Sequence, residues 1–195
     1  MKEVKLGVVV PFYNNSEVAE ELCKKLFLER LVPAFEKNKN IIPLLFEDFE
    51  GKGCGITRNK IMNYLIHICN VDYILFVDSD DYLDEDYLDE MYEACKMARV
   101  HHYNVIESKF SIRGNVVDYK KDVLPNHVCG ICYDVDLIGD TRFDESVVFG
   151  EDKVFNEEIM KKPINKFYLN TTYIYNYGYN RECMSYRWSR GELKW

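Results

Sequence analysis

The sequence predicts an α/β fold: a single domain with a mostly parallel central sheet flanked by helices. Three observations predict it. Val4–Val10 and Tyr73–Val77 are apolar runs without polar alternation, the pattern of strands buried on both faces of a parallel sheet. A segment with apolar residues at helical spacing follows each run. The length of 195 residues suits one domain with a substantial core.

Composition and charge restrict the class of partner. The chain has a formal net charge of −8 and 47% hydrophobic residues. This charge is unfavourable for broad binding to nucleic acid or to an anionic membrane. Met1–Val10 lacks the pattern of a signal peptide, and no apolar run is long enough to span a bilayer. We therefore expect a cytoplasmic protein without a membrane span, whose seven cysteines are mostly packed as reduced thiols.

The N-terminal elements follow from local signals. A polar residue among positions 14–16 is expected to cap the helix that follows the first strand, because side-chain oxygens there accept from free helix amides. Ile41–Phe46 is the second strand, and Pro43 places it at an edge or a bulge of the sheet. Phe49–Gly55 is a glycine-punctuated loop that enters a helix over Ile56–Cys69.

The second half contains further helices and strands. Asp84 is expected to cap a helix that reaches Arg99. The remaining predicted elements are a hairpin of Tyr103–Ile112 with Val116–Tyr119, a helix opened by Phe149–Asp152, and one or two strands within Lys166–Tyr177.

An acidic cluster ends the Tyr73–Val77 strand. Asp78, Ser79, Asp80 and Asp81 follow it directly, at the strand end where open α/β sheets bind ligands. Unit charges about 4 Å apart repel by about 4 kcal/mol at an effective dielectric near 20, so the carboxylates need a cation or a proton. Oxygen ligands of this kind suit Mg²⁺ or Mn²⁺. The alternative is a solvated turn whose acids favour the N-terminus of the next helix.

A basic residue occupies an unusual position in the next helix along the rim. Arg58 lies in the first turn of the Ile56–Cys69 helix, where the helix dipole disfavours a cation. An anion such as a nucleotide diphosphate would explain it. The alternative is a salt bridge to Glu47 or Asp48, which end the second strand.

Four segments add information through their order and spacing. They are VVVPFYNN, GCGITRNKIMNYL, YILFVDSDDYL and IGDTRFDESVVFGEDKVFNEEIM. Together they resemble the family 2 glycosyltransferases of the GT-A fold, over nearly the whole chain from Lys5 to about Ser185. The resemblance implies a Rossmann-like nucleotide-sugar-binding half, residues 1–83, and an acceptor and catalytic half with a C-terminal tail, residues 84–195.

The resemblance also implies roles for particular residues. Asp78 and Asp80 are the expected ligands of Mn²⁺ or Mg²⁺, with Asp78 also beside the ribose and Asp81 as a helper. The residues expected to bind the donor are Pro11, Tyr13, Glu47, Asp48, Arg58, Asn59, Asp78 and Ser79. Either Glu47 or Asp48 contacts the base.

Two acids open the last predicted helix. The resemblance implies that Asp152 is the general base that deprotonates the acceptor hydroxyl, with Glu151 as its neighbour. One base and no covalent intermediate imply inversion at the anomeric carbon. Both acids also have a plain structural explanation as partners of the helix dipole.

The sequence departs from the family in two places. The segment Ile131–Val135 lacks a basic residue that is common there, which removes the basis for an anion contact from this strand. Asp48 and Arg58 are 10 residues apart, where the family usually has an additional strand and helix. The donor half is therefore abbreviated.

The function predicted is metal-dependent, inverting transfer from a nucleoside-diphosphate sugar, expected to be a UDP-sugar, to a saccharide or other hydroxyl acceptor. One alternative is a non-catalytic nucleotide-sugar-binding or scaffold subunit, with a homo-oligomer as one possible assembly. Another is a DNA-base glycosyltransferase, which the net charge disfavours. The C-terminal tail is basic and aromatic, and we expect it either to contact a ligand or to pack on a protein surface. It contains Tyr179, Arg181, Tyr186, Arg187, Trp188, Arg190, Lys194 and Trp195.

Overall fold

The computed structural model describes residues 3–112, 114–117, 123–147, 149–175 and 190. They form a mixed α/β domain, which confirms the predicted fold class. The strands are β1 Leu6–Phe12, β2 Ile41–Glu47, β3 Tyr73–Phe76, β4 Tyr82–Leu83, β5 Val105–Ile112, β6 Asn115–Val117, β7 Ile131–Asp134 and β8 Lys166–Tyr175. The helices are α1 Glu17–Leu26, α2 Val32–Lys37, α3 Cys54–Tyr64, α4 Tyr87–His101, α5 Val135–Ile138 and α6 Glu151–Ile159.

All eight strands belong to one sheet. Its order is β2-β1-β3-β7-β5-β8-β4, and β6 pairs with β5. Parallel pairing joins β1 to β2, β1 to β3 and β5 to β8, whereas β7 runs antiparallel to both β3 and β5. Five strands, β1, β2, β3, β5 and β8, therefore share one direction. The parallel run β2-β1-β3 places three strand ends on one rim.

The core confirms the reasoning from apolar runs. Every residue of β1 and of β3 is buried, as expected for strands covered on both faces. Among the described strands β2 pairs only with β1 and is an edge strand, which agrees with the position of Pro43. None of the described helices has the length and apolar character needed to cross a membrane.

The start of α1 agrees with the cap expected from the sequence, and the start of α4 does not. Ser16 caps α1, because its Oγ accepts from the Ala19 amide at 3.1 Å. The prediction for Asp84 is wrong: α4 starts at Tyr87 after Asp86, whose side chain makes no capping bond. The chain first pairs Tyr82–Leu83 with β8, and this tertiary pairing delays the helix.

The structure also tests the second predicted helix and the predicted hairpin. The helix predicted over Ile56–Cys69 starts two residues earlier, at Cys54, and its last five residues, Leu65–Cys69, are π-helical. The predicted hairpin is confirmed by the antiparallel pairing of β5 with β6. The tail residues lie outside the described part of the chain, apart from exposed Arg190. The division into two functional halves at residue 83 stays a prediction.

Candidate active site

The site lies where β1, β2 and β3 end. Glu47 is the last residue of β2, Asp78 follows β3 by two residues, and α3 enters behind the rim with Arg58 in its second turn. The helix α6 brings Glu151 and Asp152 to the same place from a distant part of the sequence. Residues from both halves of the chain therefore meet at one point.

Arg58 is the centre of this meeting point. Its Nη1 donates to Glu151 Oε1 at 2.9 Å and to Asp152 Oδ1 at 2.7 Å, and its Nη2 donates to Asp78 Oδ1 at 2.7 Å. The Arg58 side chain is only 3% exposed. One buried guanidinium thus holds the strand-end acid Asp78 and the two acids of α6 together.

The charges around Arg58 are unequal. Burial opposes the charged guanidinium, but Asp152 and Asp78 together raise the Arg58 pKa well above its usual value. Arg58 therefore stays charged, yet one cation faces three carboxyl groups. Its Nε is buried without a hydrogen-bond partner among the described residues. The salt bridges are not to Glu47 or Asp48, and the expected diphosphate contact of Arg58 stays a prediction.

Asp152 occupies a strongly perturbed environment. Its Oδ1 accepts from Arg58, its Oδ2 accepts from the Val128 amide at 3.3 Å, and its side chain is 17% exposed. Burial raises the pKa of Asp152 to about 7; Arg58 opposes this rise, whereas Glu151 and Asp78 add to it. A carboxyl group that titrates near neutrality is well suited to accept a proton.

This pKa predicts how stability depends on pH. The Asp152 pKa is raised from 3.8 to about 7 in the folded protein, so between these values the folded state binds more protons than the unfolded state. The free energy of unfolding contributed by this group falls as the pH rises through that window, with a slope of at most about 1.4 kcal/mol per pH unit. Urea unfolding at pH 4.5, 5.5, 6.5 and 7.5 measures it.

The variant Asp152→Asn is the control for this pH dependence, because its amide cannot titrate. We expect the free energy of unfolding of the wild-type protein to fall more steeply with rising pH than that of the variant, across the whole pH window. Equal slopes would show that Asp152 does not carry the titration.

The acidic turn after β3 is held by a residue that sequence reasoning missed. The Tyr173 hydroxyl of β8 donates to Asp81 Oδ2 at 2.6 Å and accepts from the Asp78 amide at 3.0 Å. Asp81 is buried, whereas Asp78 is 27% exposed and Asp80 is half-buried. No signal in the sequence distinguishes Tyr173 from the other aromatic residues of its strand.

Two sets of groups could hold a cation. The ligand atoms of Asp78, Asp81 and Cys129 lie within 4.8 Å of one another. Burial raises the pKa of the Cys129 thiol well above its usual value, with Asp78 adding to the rise, so this set contains a neutral sulfur. Mg²⁺ and Mn²⁺ prefer oxygen ligands. The partly exposed carboxylates of Asp78 and Asp80 fit such an ion better, and their pairing stays a prediction.

The two acids at the end of β2 have different surroundings. Asp48 accepts from the Lys52 amide at 3.0 Å through Oδ1 and from the Gly53 amide at 2.8 Å through Oδ2. Both oxygens therefore close the loop that leads into α3. Glu47 lies in the same part of the structure as Cys23: burial raises the pKa of the Cys23 thiol to about 11, and the Asp80 and Glu47 carboxylates add to the rise.

Three other residues are expected to bind the sugar donor: Pro11, Ser79 and Tyr13. Pro11 is buried in β1, and Ser79 is half-buried in the acidic turn. Tyr13 is 50% exposed, and its hydroxyl lies 3.5 Å from the place where a Cβ on Gly51 would be, at a backbone φ of +63°. A Cβ there would make only ordinary contact with Tyr13, so the positive φ, and not crowding, favours glycine at position 51.

Asn59 joins α3 to the segment before α6. Its Nδ2 donates to the Phe143 carbonyl and its Oδ1 accepts from the Phe143 amide, both at 2.9 Å. Nδ2 also lies 3.2 Å from Glu145 Oε1. Asn59 therefore fixes the chain that carries Glu151 and Asp152 against the helix that carries Arg58.

Similar solved structures share this fold. They include the TarS 1-349 fragment from S. aureus in complex with UDP (TM-score 0.60, 18% identity) and in complex with UDP-GlcNAc (TM-score 0.57, 19% identity), and A197 from STIV (TM-score 0.52, 13% identity). The matches cover 89%, 89% and 88% of the present chain and 58%, 56% and 82% of those chains.

This likeness identifies the fold of the chain as GT-A. At these identities it shows the fold alone. The chain spans about three fifths of the TarS fragment. No family profile matches the sequence, and no curated protein matches it.

Proposed function

We propose that the protein is an inverting, metal-dependent glycosyltransferase of family 2, which moves a sugar from a nucleoside-diphosphate sugar to an acceptor hydroxyl. The observation that carries the proposal is the Arg58 junction, in which one guanidinium joins the strand-end acid Asp78 to the α6 acid Asp152. A donor bound at the strand ends would then lie next to a proton acceptor. The same fold in TarS holds UDP and UDP-GlcNAc, which favours a UDP-sugar as donor.

The donor would bind along the rim formed by β1, β2 and the acidic turn. The exposed ring of Tyr13 offers a stacking surface for a base. Between the two candidate acids, Glu47 is the better partner for the base or ribose, because both oxygens of Asp48 already bind loop amides. Asp48 then acts indirectly, by shaping the loop that leads to Arg58.

The leaving diphosphate needs positive charge nearby. Asp78 and Asp80 would hold Mn²⁺ or Mg²⁺, which supplies charge stabilisation for the departing diphosphate. Arg58 contributes mainly through position. Because its two Nη atoms already bind carboxylates, it fixes Asp78 and Asp152 relative to each other.

Asp152 would act as the general base. It accepts the proton of the acceptor hydroxyl while that oxygen attacks the anomeric carbon, and the bond to the diphosphate oxygen breaks with its electron pair leaving on the nucleoside diphosphate. One displacement on the face opposite the leaving group inverts the configuration. A pKa of about 7 leaves Asp152 substantially deprotonated at neutral pH and basic enough to assist proton removal.

Ligand binding is the first test of the proposal. At a concentration one hundred times its Kd, UDP with MnCl₂ is expected to stabilise the folded state by about 2.7 kcal/mol, a rise in melting temperature of roughly 5–10 °C for a domain of this size. Differential scanning fluorimetry with UDP, GDP, ADP and their sugar conjugates, with and without manganese, measures this. The manganese-dependent part should disappear in Asp80→Asn and persist in Asp140→Asn, an exposed acid outside the site.

Two results would contradict the proposal or redirect it. Absence of any shift with every nucleoside diphosphate excludes nucleotide-sugar chemistry at this site. Binding of UDP without hydrolysis or transfer of any UDP-sugar would instead identify the non-catalytic, nucleotide-sugar-binding alternative.

A further inference from the structure

Tyr173 connects the two ends of the acidic turn. Its hydroxyl oxygen accepts from the Asp78 amide at 3.0 Å and its proton goes to Asp81 Oδ2 at 2.6 Å. The turn itself is closed by the Asp81 amide, which donates to the Asp78 carbonyl at 3.2 Å. A single hydroxyl thus bonds to the first and last residues of the segment that presents Asp78 and Asp80.

The Tyr173 ring has little freedom to move. It stacks on Phe110 with ring centroids 5.6 Å apart and an interplanar angle of 5°, and it meets the edge of Tyr87 at 6.1 Å. A Cβ added to Gly130 would lie 3.0 Å from Tyr173 Cβ, so any larger residue there would push the ring away. Because the ring is fixed on three sides, the hydroxyl has a fixed position as well.

The register of β8 brings Tyr173 to this place. Ser108 pairs with Leu169, but Lys109 pairs with Thr172, so two residues of β8 are skipped at a bulge. Phe110 consequently faces Tyr173, where an unbroken register would place Thr171. Bulges beside functional sites commonly redirect a side chain. The other edge of β8 pairs Tyr173 with Leu83, just after the acidic turn.

The chemistry of Tyr173 and Asp81 supports a permanent hydrogen bond between them. A phenol keeps its proton throughout the neutral range, so the Tyr173 hydroxyl remains a donor to Asp81 Oδ2 at 2.6 Å. Asp81 is 3% exposed, and a buried carboxylate requires such a donor. The hydrogen bond supplies a donor to Asp81 Oδ2 and so holds the end of the acidic turn.

We propose that Tyr173 is a positioning residue of the candidate site: its hydroxyl holds the acidic turn so that Asp78 and Asp80 present their carboxylates to the donor and its cation. This inference rests on the proposed function for its consequence, although the positioning itself is measurable without any ligand. Tyr173 touches neither donor nor acceptor in this role and acts through Asp78 and Asp81.

The test compares Tyr173→Phe with Tyr87→Phe. Tyr87 is also fully buried, lies against the same ring, and its hydroxyl bonds to Ser108 Oγ at 2.8 Å, outside the turn. Each variant loses one buried hydroxyl, and Tyr173→Phe should lower the melting temperature more, because it removes two hydrogen bonds, one of them to a buried carboxylate. Only Tyr173→Phe should speed hydrogen exchange of the Asp78 amide, by about tenfold, which NMR measures. Only this variant should also weaken UDP binding in the presence of Mn²⁺ by about tenfold, which calorimetry measures.

The possible outcomes separate the inference from the proposed function. Unchanged exchange at Asp78 in Tyr173→Phe overturns the positioning role, whatever the protein binds. Faster exchange with an unchanged UDP affinity overturns the consequence for the site, as does an equal loss of affinity in Tyr87→Phe. Failure of the wild-type protein to bind any nucleoside diphosphate with Mn²⁺ refutes the proposed function, and the role of Tyr173 in the donor site falls with it.

Discussion

Replacement of Asp152 by Asn is expected to reduce sugar transfer by about 10²–10⁴-fold, the usual contribution of a general base, and to leave UDP binding nearly unchanged. The amide resembles the protonated carboxyl in size and cannot accept a proton from the acceptor. Since the Asp152 pKa is about 7, the folded protein already tolerates a neutral group at this position. The loss should therefore appear in kcat and not in the affinity for UDP.

Glu157→Gln is the matched control for this prediction. Glu157 lies on the same helix, is 52% exposed, and forms only a long surface ion pair with Lys153, at 3.8 Å. The substitution Glu157→Gln removes one negative charge from α6, as Asp152→Asn does, and leaves the Arg58 junction intact, so transfer should proceed normally. Full transfer activity in Asp152→Asn would refute the role of Asp152 as base, and a lost UDP affinity would show that it belongs to the donor site instead.

Sequence reasoning succeeded where local pattern determines structure. The apolar runs of β1 and β3 have no alternation because both faces are covered, and the sheet confirms this. Acids at the ends of strands were also recognisable, since parallel neighbours bring their carboxyl ends to one rim. Pro43 identified an edge strand for an equally local reason: proline has no amide to donate to a second neighbour.

The parts of the site that were not predictable depend on contacts between distant residues. Arg58 meets Glu151 and Asp152 across 93 and 94 positions of sequence, and its spacing from Asp48 suggested nearer acids as partners. Similarly, Asp81 depends on a hydroxyl 92 positions away. Local propensity at Asp84 indicated a cap, but the tertiary pairing of the preceding residues with β8 prevailed.

Replacement of Arg58 by Met is expected to destabilise the protein by about 3–5 kcal/mol, the usual result of removing one partner from a buried ion pair. Methionine fills most of the volume of the arginine stem, so the loss reflects charge more than packing. Glu151 and Asp152 would be left buried without their cation, and Asp78 would lose a bond of 2.7 Å. Urea unfolding at pH 7 measures the change.

The dependence of that loss on pH distinguishes charge from packing. At pH 5 Asp152, whose pKa is raised to about 7, is protonated, which removes much of the repulsion among the acids left without Arg58, so the variant should recover part of its stability relative to the wild type. Arg142→Met provides the comparison, because the Arg142 guanidinium donates to the Gly139 and Thr141 carbonyls and to Asn63 Oδ1. Its loss should be smaller and should not depend on pH. An Arg58→Met variant that is as stable as the wild type at pH 7 would mean that the acids do not need Arg58, and the junction could not be what brings Asp78 and Asp152 together.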